Sequence, residues 1–144
     1  MTRSEPLTRY VGQAERTLQA LLQTQLQTAD ISFPEWAVLT FLNGTGTLTR
    51  AQLAEAINKG RVIESEATDD LVDAMSGRGL IEESQARLAM TETGREVYRR
   101  LRSKVMMITA TLESEIPEED LAATRRTLKI VSERAEDILT AERS

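Results

Sequence analysis

Residues 64–84 read ESEATDDLVDAMSGRGLIEES. At 100° per residue, Thr68, Leu71, Val72 and Met75 fall on one side of a helix, the side that must face a core. Glu66, Asp69, Asp70 and Asp73 fall on the opposite side, with Glu64 just upstream and no Lys or Arg before Arg78. Gly77-Arg78-Gly79 ends the helix. The short segments LIEE and RLAM then flank SQA, which leaves room for a very small two-stranded hairpin. A short helix with an acidic outer face, followed at once by a stub hairpin, is the feature that the rest of the chain has to explain.

Upstream, Leu7, Tyr10, Val11, Ala14, Leu18, Leu21, Leu22 and Leu26 recur at three- and four-residue steps, which predicts a helix over 5–28. ISFPEW, residues 31–36, opens the next helix. Ser32 with Glu35 fits a capping box, Pro34 suits the first turn, and Ile31 can staple onto Trp36. NGTG at 43–46 breaks this helix. Thr49 with Gln52 is a second capping box, opening TRAQLAEAI, and NKG at 58–60 closes it with Gly60 as the stop. The acidic helix lies somewhere within 62–77. Thr91 opens a long helix through Val97, Leu101, Val105, Ile108 and Leu112 to about residue 115. Pro117 stops it and starts the last helix, with Glu118, Glu119 and Asp120 at the positive end of its dipole. Leu121, Leu128, Val131, Ala135, Ile138 and Leu139 make its apolar stripe. No internal repeat, linker or low-complexity segment interrupts the 144 residues, enough for one domain with a core.

Composition removes several function classes. There is no cysteine and no histidine. Disulfides, thiolate nucleophiles, Cys/His zinc sites and a His-centred triad are therefore excluded. Adjacent carboxylates such as Glu82–Glu83 and Glu118–Asp120 read as surface charge and helix-start electrostatics. GTG at 44–46 reads as a turn and not a phosphate loop, because it lacks the Gly-Lys-Ser/Thr ending. The chain is expected to be no enzyme, with no cofactor and no metal. No apolar run approaches the ~18 residues of a membrane span, and MTRSEPLTRY has no signal-peptide core. A cytoplasmic protein without membrane contact is expected. Aromatics make up 3% of the chain, so the core must be aliphatic. The net charge of −5 argues weakly against a nucleic-acid partner.

The order of elements, with ISFPEWAVLTFL, GTLTRAQLAEAI, LVDAMSGRGLIEE and MTETGREVYRRL in sequence, resembles the winged helix-turn-helix of the MarR family, the multiple-antibiotic-resistance type regulators. The family's "LT-x-x-G" after the wing is MTETG here, with Met90 in place of Leu. The resemblance covers almost the whole chain. It implies a mainly α fold with a small β-wing, a winged-helix lobe over 32–90, and dimerisation helices over 5–28 and 91–142. It also implies a homodimer on a pseudo-palindromic duplex, with the second helix of the pair in the major groove and the wing at the minor groove. A pocket for a small phenolic or lipophilic effector between lobe and dimer helices is implied as well; Tyr10, Trp36 and Met106 are its candidate lining, with core packing as their plainer role. The dimer faces are assigned to Leu7, Val11, Leu18, Ile116, Leu121, Leu128, Val131 and Ile138; the plainer alternative is that these terminal stripes only cover the middle of their own chain.

The departures from the family lie where DNA would be met. Asp69 and Asp70 stand where Ser, Thr and Arg are common before "LVD". The interval from Ile57 to Leu71 is longer than usual by roughly one helical turn. Only EESQARLA separates Ile81 from Met90, so the wing tip is cut down, and Arg87 is the one candidate for its minor-groove arginine. The candidate DNA contacts are Arg50, Gln52, Lys59, Arg61, Ser65, Thr68 and Arg87. Arg78 and Arg95, Arg99, Arg100 and Arg102 are further cations whose plainer role is solubility or helix pairing, as in Glu96–Arg100. Because phosphate contacts supply most affinity, the acidic helix predicts binding weaker than is usual for the family. A second reading stands beside this one: a winged-helix dimer that has lost DNA binding and acts on other proteins through its acidic helix.

Overall fold

The computed structural model describes residues 5–60 and 67–143. They fall into two compact units, divided between Val105 and Met106. The chain order is α1 (Leu7–Gln27), α2 (Phe33–Thr45), α3 (Arg50–Lys59), α4 (Thr68–Gly77), β1 (Ile81–Ser84), β2 (Arg87–Met90), α5 (Glu92–Glu113) and α6 (Glu118–Glu142). The mainly α class with one small antiparallel hairpin is as the sequence implied.

In the first unit, α2 is the central element. Val38, Leu39 and Leu42 are fully enclosed, and they share one core with Leu53 and Ile57 of α3, Val72 and Met75 of α4, Ile81 and Leu88 of the hairpin and Leu101 of α5. Both capping boxes form. The Glu35 backbone N–H donates to Ser32 Oγ at 3.2 Å and the Ser32 N–H to Glu35 Oε1 at 2.9 Å. The Gln52 N–H donates to Thr49 Oγ1 at 3.1 Å and the Thr49 N–H to Gln52 Oε1 at 2.9 Å. Each box satisfies N–H groups that a helix start otherwise leaves open, typically for about 1 kcal/mol. Gly60 caps α3 in the right-handed region, φ −80°, so this stop does not depend on glycine's freedom.

The hairpin pairs Ile81 with Met90 and Ser84 with Arg87. Its two-residue turn is Gln85-Ala86, with φ of 52° and 63°. That is the primed-turn geometry that twisted hairpins favour, built here without glycine. Sequence reading missed a third piece. Leu48, just before α3, bridges Leu88, with the Leu48 N–H donating to the Leu88 carbonyl at 3.1 Å and the Leu88 N–H returning the bond at 2.6 Å. The bridge anchors the wing to the start of α3.

The MTETG element has a mechanical reason. Thr91 Oγ1 accepts from the Gly94 N–H at 3.0 Å, its hydroxyl donates to the Gly79 carbonyl, and the Thr91 N–H donates to the Leu80 carbonyl at 3.1 Å. The first turn of α5 therefore lies against Leu80. A Cβ at position 94 would collide with the Leu80 carbonyl oxygen, so only glycine fits.

In the second unit, α6 follows Pro117 and has no buried residue along its length. Ile116, Leu128, Ile130 and Ile138 are exposed there, as are Met106, Met107 and Leu112. No described helix is long and apolar enough to cross a membrane.

Candidate nucleic-acid interface

The surface that a winged helix offers to a duplex comprises the start of α3, the outer face of α4 and the hairpin. The wheel drawn from sequence holds on α4: Thr68, Val72 and Met75 are buried, Leu71 is half-buried, and Asp69, Asp70 and Asp73 are exposed. The acids are not simply solvated. Asp69 and Asp73 lie one helical turn apart and so share a stripe. Arg50, the first residue of α3, reaches across to both. Its Nη1 donates to Asp69 Oδ1 at 2.9 Å and its Nη2 to Asp73 Oδ1 at 3.1 Å. From the other side comes Glu83 of β1, which receives Nη2 at 3.0 Å and Nε at 3.1 Å. One guanidinium thus ties together α3, α4 and the wing. The carboxylates, Glu83 first and then Asp69 and Asp73, push the Arg50 pKa above its ordinary value, so it stays charged at any working pH.

The other expected contacts divide sharply. Thr68, expected among the duplex contacts, is 3% exposed: the side chain faces inward, and its hydroxyl has no hydrogen-bond partner among the described residues. Gln52 is exposed but spends its carbonyl on the capping box. Lys59 ends α3, exposed and with no ion pair to any described residue. Arg87 is exposed on β2, with one long contact to Thr47 Oγ1 at 3.5 Å. Arg61 and Ser65 lie outside the described residues, as do Glu64, Glu66 and the lengthened interval before α4.

Arg78 is an internal brace. Its Nη1 donates to Glu35 Oε2 at 2.8 Å and its Nη2 to the Asp30 carbonyl at 2.7 Å. Glu35 is 8% exposed and uses its other oxygen on the α2 cap. The end of α4 is thereby fixed to the α1–α2 turn, where Asp30 adopts φ 55°. Nothing local in the sequence signals this pair, whose members are 43 residues apart. Arg95 is also spent internally, on the Met90 carbonyl at 2.9 Å.

Of the expected effector-pocket residues, Trp36 stacks on Tyr98, with ring centroids 5.1 Å apart. Tyr98 is buried beside it and was not singled out from sequence. Tyr10 and Met106 are exposed. A cleft of about 340 Å³ opens between the end of α1 and the start of α2, lined by Gln23, Gln27, Ile31, Ser32, Phe33 and Pro34. Neither Tyr10, Trp36 nor Met106 lines it. On the expected dimer faces, Leu7, Leu18, Ile116, Leu128 and Ile138 are exposed, while Val11, Leu121 and Val131 are half-buried.

The helix pair with its hairpin defines a winged helix-turn-helix. With the long helices before and after it, the chain has the fold of the MarR family. Ligand-free NadR superposes with a TM-score of 0.76 at 20% identity, covering 94% of this chain and 99% of that one. A MarR family transcriptional regulator from Silicibacter pomeroyi gives 0.74 at 20% identity, over 91% of this chain and 90% of that one. The reduced form of MarR from E. coli gives 0.71 at 18% identity, over 90% and 95%. NadR is also similar in its complex with 4-hydroxyphenylacetate, at a TM-score of 0.69 and 19% identity, over 91% and 95%. No protein-family model matches the sequence, and no curated protein matches it significantly.

Proposed function

We propose that this chain is a MarR-type transcriptional regulator that binds a pseudo-palindromic duplex as a homodimer and answers to a small-molecule effector. The observation that carries the reading is the likeness of nearly the whole chain, winged helix and flanking helices together, to regulators of that type. A fold alone hosts many functions, so the site must bear its share. Lys59 and Arg87, with Arg61, are the cations that would meet phosphate, and half-sites about one helical turn apart suit a two-fold dimer. Binding is weaker than is usual for the family, because exposed Asp70 and Glu82 add negative charge to the same face. The dimer reading is supported by α6, a helix of 25 residues with none buried, whose apolar side chains need a second copy to cover them. The effector reading is supported by NadR, which takes an aromatic acid.

The Arg50 clamp favours a second reading. A winged helix whose foremost arginine is already held by three carboxylates suits a dimer that has left DNA and meets a basic protein through α4. Fluorescence anisotropy of the purified protein, against its own upstream duplex and a scrambled one at about 50 and 200 mM salt, separates the two. Sequence-preferring binding that weakens with salt, and weakens further in Lys59→Ala/Arg61→Ala, upholds the regulator. No binding at low salt sinks it in favour of the second reading.

A further inference from the structure

We infer that Arg50 is a masked phosphate contact: Asp69, Asp73 and Glu83 occupy its guanidinium as internal stand-ins for a phosphate, and a duplex gains that contact only when the mask opens. The inference rests on the DNA-binding reading and adds an autoinhibitory contact to it.

The chemistry of the match is direct. A guanidinium fork receives carboxylate and phosphate oxygens with the same planar geometry. Glu83 is held in the two-pronged manner, at 3.0 and 3.1 Å, and the Asp69 and Asp73 contacts at 2.9 and 3.1 Å use further N–H groups. Little donor capacity is left for an external anion while the clamp is closed. The clamp is nevertheless easy to open. The Asp69 and Asp73 side chains are 74% and 68% exposed, so water replaces the arginine at small cost. The mask also explains why the acids stand where they do. Charge placed only for solubility has no need to converge on one cation from a helix and a strand at once, and Asp70, between the two clamped acids, makes no such contact with any described residue.

The test uses the full-length protein and duplex anisotropy over a salt series. Asp69→Asn/Asp73→Asn releases Arg50 from α4, and Glu83→Gln releases it from the wing. Each freed contact steepens the dependence of log K on log salt by about 0.9, and affinity at low salt rises by about tenfold. Adding Arg50→Gln to the Asp69→Asn/Asp73→Asn variant must remove that increment, whereas Arg50→Gln in the wild-type background changes the slope by much less. A gain that survives the loss of Arg50 overturns the mask, since mere removal of negative charge then accounts for it. An unchanged slope in the released variants, with wild type binding normally, also overturns the mask and leaves the regulator reading standing. Binding that appears only in the released variants and vanishes with Arg50 upholds the mask and overturns that reading for the wild-type chain. No binding by any form overturns both.

Discussion

Arg78→Ala should be among the most destabilising single changes outside the apolar core. The Glu35 side chain is 10% exposed, and Arg78 is the cation on its second oxygen, at 2.8 Å. Removing the arginine strands a carboxylate whose remaining described partner is the Ser32 N–H. Breaking a buried pair in this way costs about 3–5 kcal/mol. The lower end applies, because Arg78 itself is 37% exposed and partly solvated already. We expect about 3 kcal/mol, which for a chain of this size moves the midpoint of thermal unfolding by about 10 °C. Glu35→Ala should cost less, about 2 kcal/mol, combining one charge-assisted bond with half a capping box. Its stranded partner keeps the Asp30 carbonyl and has water within reach. The double variant should then cost about 3 kcal/mol, well short of the sum, because the second change removes a group already left unpaired. Urea unfolding at one fixed protein concentration measures all three, the fixed concentration holding any dimer contribution constant. Additive costs, or an Arg78→Ala variant within about 1 kcal/mol of wild type, would show that the brace is a surface pair of ordinary worth.

Gly94→Ala forces a methyl against the Leu80 carbonyl, and a rigid backbone neighbour cannot move aside cheaply. A loss of about 2–3 kcal/mol by thermal melting is expected, and a change under about 0.5 kcal/mol would mean that α5 does not rest on Leu80 as described. Thr68→Val removes a buried hydroxyl without a partner among the described residues, so stability should hold or rise by up to about 1 kcal/mol while duplex affinity stays the same. A drop in either quantity would reveal a bond that the hydroxyl makes. Leu128→Asp with Ile138→Asp places charge on the exposed apolar face of α6 and should convert the proposed dimer into a monomer by light scattering at micromolar concentration. A dimer that persists puts the interface elsewhere.

Much of the fold was legible because its signals are local. Ser32 with Glu35 and Thr49 with Gln52 announce helix starts through bonds three residues long, and the structure makes both pairs. Thr91 and Gly94 did the same for α5, although the reason for the glycine is a backbone 14 residues earlier. The inward side of α4 followed from a 3.6-residue period and four apolar or small side chains. Thr68 fits two roles by sequence, core and duplex contact, and its side chain is buried. The features that sequence did not disclose are those that link distant residues. Leu48 with Leu88 spans 40 residues and carries no pattern of its own, because a single bridge is too short to alternate. The destinations of Arg50 and Arg78 depend on which helix each one faces after packing.

The acidic helix illustrates the limit of a helical wheel. A wheel ranks positions by angle about one axis, and on that measure Asp69, Asp70 and Asp73 are equivalent outward charges. The packing of α3 against α4 breaks the equivalence, since Arg50 stands over the stripe shared by positions 69 and 73 and Asp70 lies off it. The wing supplies a third carboxylate from a different direction, so the arrangement links α3, α4 and the hairpin rather than setting one interhelical distance. Three negative charges around one positive charge remain a net repulsion toward any phosphate that approaches. Under the proposed DNA-binding reading, the cluster that sets the geometry of this face therefore opposes its use, and a duplex must offer Arg50 a better partner than its own chain does.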